Sequence, residues 1–476
     1  MVNRFLARFG QQIAVLHSKL SIGERYDEWN RIKEGQANIV IGARSAIFAP
    51  IPKLGIVIID EEHDSSYKSD MSPRYQAKDI AKYFCNINNI PLVLGSATPD
   101  INDFYYAKNG KMKLLLLKNR ANKSNLPTVE IVDLRNELAN GNKSMISNRL
   151  KEKIEKNLKY KKQTILFLNR RGFSTFVMCR DCGFTAKCKN CNIALTYHKN
   201  DGALKCHYCG FETKYITECP ICHSKKVKYF GAGTQKLEQE IHDLFPKATT
   251  IRMDVDTVTK KNSHELILES FKKDGIDILI GTQMVVKGHH FPNVTLVGVI
   301  AADTSLNIDD YRASERTFQI LTQVAGRAGR EKLPGRVIIQ TYNRDNFAIE
   351  YSKEQNYDKF YADEIKIRKQ LKYPPFYDII IGNISSRDEK TTIEVAQFLY
   401  KKLNRIFSNT NMDIFVFQPV PSPINKIKNR YRWRILIKCK FNASIMNSIN
   451  KILNSYYNSK YKNTRVTFDV NPSNMT

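Results

Sequence analysis

The chain has 476 residues, 42% of them hydrophobic, which suffices for roughly three or four domains of about 100–200 residues with buried cores. Its 75 basic residues outnumber 47 acidic ones, and the formal net charge of +28 favours a polyanionic partner such as nucleic acid, because each neutralised phosphate releases counterions. Neither a signal peptide nor a long apolar run is recognisable, so the sequence predicts a cytoplasmic protein without membrane contact and argues against a secreted one.

The first predicted elements are two aliphatic strands of a parallel sheet, at residues 39–41 and 56–59. The second strand runs directly into the acidic sequence DEEHD, residues 60–64. Ligand sites of parallel sheets lie beyond the carboxyl ends of the strands, and carboxylates grouped there are costly unless a cation or a proton transfer uses them. In ATP hydrolysis, an aspartate at this point holds Mg²⁺ and the next glutamate acts on the attacking water. Asp60 and Glu61 are the candidates, and a solvated acidic turn is the alternative.

A third aliphatic run, at residues 91–94, ends in the small-residue turn GSATP at residues 95–99. The order of the two sequences, DEEH and then GSATP, resembles motifs II and III of superfamily 2 helicases. Bases stack on aromatic rings while Lys and Arg hold phosphates, so the loop between the two sequences is predicted to bind single-stranded DNA. An ordinary polar surface loop is the alternative. The aromatic and basic residues of this loop are Tyr67, Lys68, Arg74 and Tyr75.

Four Cys-x-x-Cys pairs follow, and their cysteines lie between residues 179 and 222. Two intervening residues allow a tight turn that directs both sulfurs at one cation, and a structural zinc site uses four thiolates. The pairs therefore predict two zinc sites. A disulfide framework is the alternative, but it requires an oxidising compartment. Cys85 and Cys439 stand alone in apolar stretches and are predicted to be buried thiols.

The remaining α/β pattern predicts a second lobe that begins before the cysteines and resumes after them. The run QVAGRAGR, residues 323–330, resembles helicase motif VI, whose arginines reach the γ-phosphate. Arginine suits this task because its guanidinium is always charged and stabilises phosphoryl charge in the transition state. A basic, glycine-rich turn that binds phosphate without catalysis is the alternative. The aliphatic runs of this lobe are residues 163–168, 249–254, 277–281 and 295–300.

Several longer sequences extend the resemblance beyond the superfamily. Together they resemble the bacterial family of primosomal replication-restart helicases, primosomal protein N′, over essentially the whole chain. The zinc insertion within the second lobe is specific to that family. YPPF, at residues 373–376, and the segment around Arg432 and Trp433 resemble the start of the family's C-terminal domain and its DNA-facing segment. The other matching sequences are IVIGARSAIFAP, DEEHD, LGSATPD, ILFLNRRGFS, CRDCG, CHYCG, GAGTQKLEQEI, RMDVDT, GTQMVVKGHHFPNV and QVAGRAGR.

The resemblance implies an α/β fold of tandem recombinase-like helicase lobes. The first lobe is expected to be partial, the second to carry a two-zinc knuckle insertion, and a small α+β domain to follow. The expected bounds are lobe 1 at 1–135, lobe 2 at 136–350, the zinc module at 178–225, a charged helical connector at 351–375 and the C-terminal domain at 376–476.

The resemblance also implies which side chains act. The expected catalytic residues are Asp60, Glu61, Glu62, His63, Gln323, Arg327 and Arg330. ATP with its Mg²⁺ is expected at Gly288, Asp303, Arg327 and Arg330. One zinc is expected at Cys179, Cys182, Cys219 and Cys222, and the other at Cys188, Cys191, Cys206 and Cys209. DNA is expected at Arg44, Ser45, Tyr67, Lys68, Arg74, Tyr75, Arg170, Arg171, Thr282, Lys287, Arg432 and Trp433.

One departure from the family pattern divides two functional hypotheses. No Gly-x-x-x-x-Gly-Lys-[Ser/Thr] sequence, whose N–H groups and lysine hold the phosphates, occurs in the chain. The first hypothesis is an ATP-driven 3′→5′ DNA helicase that recognises stalled forks and promotes reloading of the replicative helicase. It would be a monomer that acts on single-stranded and forked DNA with other primosome proteins and single-stranded-DNA-binding protein. The second hypothesis is an ATPase-deficient, zinc-containing fragment that docks DNA and protein.

Overall fold

A computed structural model describes the chain except for residues 1, 18–19, 118–125, 169–175, 199–201, 230–232, 255–262, 274, 283–290, 330–333, 459–462 and 476. The chain divides into two compact units, Met1–Met112 and Lys113–Thr476. Among the described residues, no helix combines the length and the apolar character needed to cross a lipid bilayer.

The first unit contains two pairs of short parallel strands with helices beside them. Strand β1 (Ile13–Leu16) pairs with β2 (Ile39–Gly42), and β3 (Val57–Ile59) pairs with β4 (Leu92–Leu94). Strands β2, β3 and β4 lie where the aliphatic runs predicted them. The helices of this unit are Val2–Phe9, Ile22–Lys33, Ala77–Ile87 and Ile101–Lys108.

Local sequence fixes where two of these helices begin. Ser21 and Glu24 form a capping box at the start of the helix Ile22–Lys33, each side chain accepting a hydrogen bond from the other residue's N–H group. The side chain of Asp100 accepts from the N–H group of Asn102 at 2.9 Å and caps the helix that follows the GSATP turn. The turn is thereby held between a strand end and a helix start.

The second unit contains the other strands and helices. Its strands are β5 (Thr128–Asp133), β6 (Gln163–Phe167), β7 (Val177–Cys179), β8 (Thr196–His198), β9 (Ala203–Lys205), β10 (Glu212–Lys214), β11 (Val227–Tyr229), β12 (Thr250–Met253), β13 (Ile278–Gly281), β14 (Val294–Val299), β15 (Arg336–Thr341), β16 (Asp378–Ser386), β17 (Phe415–Val416), β18 (Val420–Ile427), β19 (Arg430–Cys439) and β20 (Arg465–Val470). Its helices are Leu134–Ala139, Asn148–Lys159, Thr234–Leu244, Ser263–Lys273, Asp303–Leu306, Ala313–Ala325, Phe347–Glu354, Tyr357–Gln370, Glu389–Ser408 and Ala443–Tyr457.

A six-stranded parallel sheet, in the order β12-β13-β6-β14-β15-β5, is the core of the second lobe. In the inner strands of this sheet, alternate side chains enter two different hydrophobic clusters. On β6, for example, Ile165 and Phe167 join one cluster while Leu166 joins the other. Successive side chains of a strand point to opposite faces, so a sheet buried on both faces requires continuous aliphatic runs. This explains why four of the six strands, β6, β12, β13 and β14, are recognisable in the sequence.

The boundary expected at residue 135 requires a correction. Strand β5 was assigned to the first lobe, but it pairs along its whole length with β15 at the edge of the second lobe's sheet. Val129 of β5 is buried in one of that sheet's clusters. The first unit ends at Met112, before this strand. The sequence did not reveal that β5 belongs to the second lobe, because pairing between strands about 200 residues apart leaves no local pattern.

The cysteine-rich insertion and the C-terminal domain complete the second unit. Strand β7 pairs with β11 and so closes the insertion at its base, and β8, β9 and β10 form a small antiparallel sheet within it. The C-terminal sheet has the order β17-β19-β16-β20 with β18 beside β19, and its pairings are antiparallel. Two helices, Glu389–Ser408 and Ala443–Tyr457, pack on one face of it. The fold is thus the helicase-like α/β arrangement that the sequence predicted, with a cysteine-rich insertion and an α+β C-terminal domain.

Candidate nucleotide site and metal centre

The acidic sequence turns sharply at the end of β3. Glu61 has a φ of 47°, in the left-handed region that residues other than glycine rarely adopt. Its N–H group hydrogen-bonds the Asp60 carboxylate at 3.0 Å, and both side chains are exposed. The next residue, Glu62, is instead only 2% exposed. A single turn therefore presents two carboxylates outward and directs the third into the protein.

The GSATP turn is bound directly to this acidic turn. The N–H group of Glu62 donates to the Gly95 carbonyl at 3.1 Å, and the Glu62 carboxylate accepts from the Asp100 N–H group at 2.7 Å. His63 Nδ1 lies 2.6 Å from Ser96 Oγ, in a hydrogen bond between the two motifs. The motifs that the sequence placed in order are thus brought into contact, and a movement of one displaces the other.

A buried ion network lies behind the acidic turn, and sequence reasoning missed it. Lys78 Nζ donates to Glu62 and to Asp103 at 2.6 Å each, and Lys82 also donates to Asp103. Burial raises the pKa of Glu62 to about 7 against the opposing effect of Lys78. Burial also opposes ionisation of Asp103, but Lys78 and Lys82 outweigh it and hold its pKa at about 2. A signal for burial of Lys78 was present in the sequence: Lys78 has the helical spacing that places it on the same face as the buried residues Ala81 and Cys85.

The tyrosine-rich loop is also attached to the acidic turn. The hydroxyl of Tyr67 donates to the Asp60 carbonyl at 2.7 Å. The Arg44 guanidinium donates to the carbonyls of Ser66 and Lys68, and it lies 5.6 Å from the Tyr75 ring centroid. Arg44 therefore supports the loop from behind. Ser45 and Arg74 are exposed, whereas Lys68 is 9% exposed.

The candidate residues of the second lobe differ in how far they are buried, and some lie outside the described part of the chain. Thr282 follows β13, and Gln323 and Arg327 are half-buried at the end of the helix Ala313–Ala325 and just after it. Asp303 is fully buried after β14, where it accepts hydrogen bonds from the Thr341 hydroxyl and the Tyr342 N–H group. Burial raises its pKa to about 6 despite these bonds. The predicted residues Arg170, Arg171, Lys287, Gly288 and Arg330 lie outside the described part of the chain.

The cysteines form two groups of four, the sets that the family resemblance implied. In each group the sulfur atoms lie within 4.8 Å of one another. The Sγ–Sγ distances include 3.6 Å for Cys179–Cys222 and 3.5 Å for Cys188–Cys209. A tetrahedral zinc with bonds of about 2.3 Å separates its sulfurs by roughly 3.8 Å, so both groups fit this ion. The ten cysteines, all in the described part of the chain, carry no disulfide, and Cys85 and Cys439 are buried as predicted.

All four Cys-x-x-Cys pairs have the same backbone turn. The N–H group of the first cysteine donates to the carbonyl five residues later, and its carbonyl accepts from the N–H group four residues later. The residue four positions after the first cysteine has a positive φ in each turn. Glycine adopts this conformation without strain, and two of the four turns use it. The residues are Gly183, Asn192, Gly210 and His223.

The two metal sites differ in their surroundings. The outer site (Cys179, Cys182, Cys219, Cys222) has an exposed ligand, Cys222, and lies beside the polar surface contacts of Asp181 with Ser224 and Lys226. The inner site (Cys188, Cys191, Cys206, Cys209) has three buried ligands and joins a hydrophobic cluster with residues of the C-terminal domain. The inner site is therefore the more deeply buried of the two, although Cys179 and Cys219 of the outer site belong to the same cluster.

The DNA candidates of the C-terminal domain lie on β19. Arg432 is half-buried, and its guanidinium reaches the Ile424 carbonyl on the neighbouring strand at 3.4 Å. Trp433 points to the other face and packs against the domain core. Exposed basic residues surround the turn between β18 and β19, and Lys426 lies 4.5 Å from the Tyr431 ring centroid. The basic turn, rather than Trp433, is the exposed feature of this segment.

The family models that match this chain agree with its helicase-like α/β architecture. Family models match the Helicase conserved C-terminal domain at residues 215–332, the PriA DNA helicase Cys-rich region (CRR) domain at 188–214 and the Primosomal protein N C-terminal domain at 369–473. A solved structure of RecG bound to a three-way DNA junction is similar with a TM-score of 0.38 and 13% identity, over 79% of this chain and 37% of that one.

Curated relatives define the family. Replication restart protein PriA of Bacillus subtilis (strain 168) is 46% identical over 99% of this chain and 58% of its own length. The PriA of Synechocystis sp. is 42% identical over 92% of this chain and 53% of its own length, and that of Haemophilus influenzae is 37% identical over 100% and 64%. This chain belongs to the replication restart protein PriA family. It spans between about half and two thirds of the length of these relatives.

Proposed function

We propose that the chain serves replication restart as part of an ATP-dependent 3′→5′ DNA helicase that recognises stalled forks and promotes reloading of the replicative helicase. The observation that carries the proposal is the outward presentation of Asp60 and Glu61 at the end of β3, on a turn bound to the GSATP sequence. The presence of these paired motifs within a family of restart proteins supports a motor function over a purely structural one.

The proposed chemistry assigns a separate role to each exposed carboxylate. Mg²⁺ would neutralise charge on the phosphates of ATP, and Asp60 would hold it. Glu61 would orient the attacking water and accept its proton. Glu62, His63 and Gln323 would position these groups; the hydrogen bonds of Glu62 to Gly95 and of His63 to Ser96 support this role for the first two. Arg327 and Arg330 would stabilise the charge that develops on the terminal phosphate.

DNA binding would act on this turn through the tyrosine-rich loop. The Tyr67 hydroxyl is bonded to the Asp60 carbonyl, so a strand that displaces Tyr67 would also move the Asp60 backbone. Asp303 is buried and bonded, and we assign it to holding the sheet near the nucleotide rather than to contacting ATP. We further propose that the chain is a monomer and that it binds single-stranded and forked DNA. Its proposed protein partners are other primosome proteins and single-stranded-DNA-binding protein.

A second candidate function is a DNA- and protein-docking fragment without ATPase activity. The observation that favours it is the absence of a Gly-x-x-x-x-Gly-Lys-[Ser/Thr] sequence from the chain. Each hydrogen bond to a charged group contributes about 1.5–3 kcal/mol, so lacking even two weakens ATP binding by about a hundredfold or more. The isolated chain is therefore expected to show no DNA-stimulated ATPase.

The experiment that separates the two functions measures ATPase with single-stranded DNA present. The chain is assayed alone and with a separate polypeptide that carries the phosphate-binding loop segment of a PriA relative. Activity only in the mixture, abolished by Glu61→Gln, is the expected result. Activity in the mixture that survives Glu61→Gln means that the catalytic carboxylate is misassigned. Inactivity of a mixture shown to form a complex supports the docking function.

A further inference from the structure

The C-terminal sheet uses its two faces differently. On β19, Ile435 and Ile437 pack into the core beneath the domain's own helices. Leu436, between them, belongs to the cluster that contains cysteines of both metal sites. Because side chains alternate along a strand, Arg434 and Lys438 point to the same face as Leu436. The face opposite the helices therefore packs on the inner metal site.

Arg434 makes the most extensive contact across this boundary. It is 2% exposed, and its Nε and Nη2 atoms donate to the His207 carbonyl at 2.9 and 2.6 Å. His207 lies within the turn between Cys206 and Cys209, so the guanidinium holds the backbone of a metal-binding turn. The third nitrogen of Arg434 donates to the Met475 carbonyl of the C-terminal segment.

Further hydrogen bonds join both turns of the inner site to the C-terminal domain and to Tyr373 just before it. The Tyr373 hydroxyl donates to the Cys191 carbonyl at 3.1 Å in the first turn. His207 Nδ1 bonds the Pro421 carbonyl of β18 at 3.1 Å in the second turn. Gly210 lies so close to β18 that an added Cβ would be 3.0 Å from Val420 Cγ1. The contact is thus tight on the backbone of the metal site itself.

The outer site shares the hydrophobic cluster through Cys179 and Cys219, but none of the described hydrogen bonds joins its two turns to the C-terminal domain. Its backbone contacts are with the second lobe, where Arg135 donates to the Cys182 carbonyl at 3.3 Å. Gly183 approaches the residue after β15 so closely that an added Cβ would lie 2.2 Å from the Tyr342 carbonyl oxygen. Chemically equal sets of four cysteines are therefore attached to different parts of the protein.

We infer that the inner zinc site and the C-terminal domain form one cooperative unit, in which Arg434 is the positioning residue. The metal fixes the two inner turns, and these turns present the carbonyls that Tyr373 and Arg434 bind. Loss of the inner zinc therefore releases the C-terminal domain from the insertion. By thermodynamic linkage, weakening the domain contact must weaken retention of the inner zinc to the same extent. The outer zinc lies outside this coupling.

Zinc release to an excess of a chromogenic chelator tests the inference on the full chain. Asp309 lies 3.8 Å from Arg434 and is 1% exposed, so removing Arg434 alone would leave a buried carboxylate without its cation. The test variant is therefore Arg434→Gln with Asp309→Asn, compared with Asp309→Asn alone. Cys188→Ser identifies the inner release phase by its disappearance.

The double variant is expected to accelerate the inner phase at least about tenfold, since two hydrogen bonds from a charged donor are lost. The outer phase should change less than about twofold. Arg465→Gln, at an exposed position of β20 in the same sheet, should alter neither phase. Equal acceleration of both phases, or none, would overturn the inference. If the double variant fails to fold, Tyr373→Phe tests the same coupling by removing one hydrogen bond to the Cys191 carbonyl.

Hydrogen exchange measures the reverse direction of the coupling. Cys188→Ser is expected to increase amide exchange in β18 and β19 at least about tenfold, because the carbonyl partners lose their fixed positions. Cys222→Ser, at the outer site, should leave exchange in these strands unchanged. If the two cysteine variants affect β18 and β19 equally, the inner site has no special connection with the domain and the inference is wrong.

Discussion

The acidic turn of the first unit and the cysteine-rich insertion of the second unit solve opposite problems. The acidic turn exposes Asp60 and Glu61, and its support is a buried network of charged side chains around Lys78. The insertion has little sheet of its own and relies on eight thiolates gathered into two sites. One region is organised so that its carboxylates remain available, and the other so that its thiolates are held by metal.

The difference shows how the stability of each region depends on its partners. Structural zinc contributes about 10–16 kcal/mol of apparent binding free energy per site, far more than a single ion pair. A buried lysine between two carboxylates contributes mainly by preventing a larger loss, because each carboxylate would otherwise remain buried and unpaired. The insertion should therefore unfold completely without metal, whereas loss of single charged residues should lower the stability of the acidic turn by smaller amounts.

Metal removal should produce the largest effect. The purified chain is expected to hold two zinc ions, and a strong chelator should unfold the insertion while the parallel sheet persists. Elemental analysis and limited proteolysis between residues 177 and 229 measure this. Cys188→Ser should retain one zinc, and Cys85→Ser, a buried thiol outside both sites, should retain two. If the wild-type chain binds only one zinc ion or none when zinc is in excess, the two-site structure is wrong.

The second effect concerns the network behind the acidic turn. Lys78→Met should destabilise the first unit by about 3–5 kcal/mol, because Glu62 and Asp103 lose their shared buried cation. Lys82→Met is the matched control on the same helix, and its partly exposed ion pair should contribute about 1 kcal/mol or less. Urea unfolding of a Trp433→Phe chain reports on this unit through Trp29, the remaining tryptophan. Equal losses for the two variants would show that burial of Lys78 is unimportant.

Strong acid should weaken the ion pairs of Asp103 in the same network to a smaller degree. The pKa of Asp103 is held at about 2, below its ordinary value, so its ion pairs stabilise the folded state above about pH 4. That contribution is lost as the pH falls through about 2. Asp103→Asn should therefore cost about 2 kcal/mol at neutral pH and flatten the acid limb of the unfolding profile. An unchanged acid limb would show that Asp103 ionises as it does in an unfolded chain.

The smallest predicted effect concerns DNA binding by the basic turn of the C-terminal sheet. Affinity for single-stranded DNA should fall steeply with salt, and Arg432→Gln should reduce the slope of log K against log salt by about 0.7. Arg405→Gln, on the exposed side of the helix Glu389–Ser408, should leave the slope unchanged. Binding that does not depend on salt would contradict an electrostatic role for this surface.

The sequence determined the local elements and the chemistry of both regions. Buried parallel strands must be continuously aliphatic, a metal-binding turn must bring two cysteines within reach of one cation, and carboxylates must follow a strand to reach a ligand there. Each requirement acts over a few neighbouring residues, so each is visible as a pattern. The four turns, the acidic run and seven of the ten described parallel strands were predicted for this reason.

Only the tertiary structure decided which of these elements meet. It placed β5 in the second lobe's sheet, Lys78 between Glu62 and Asp103, and Arg434 on the inner metal site. Such contacts join residues far apart in the chain, and a buried charge is stable only where its partners arrive from other elements. A lone Lys78 or Arg434 in the sequence resembles any surface cation. Its role follows from burial, which the fold as a whole imposes.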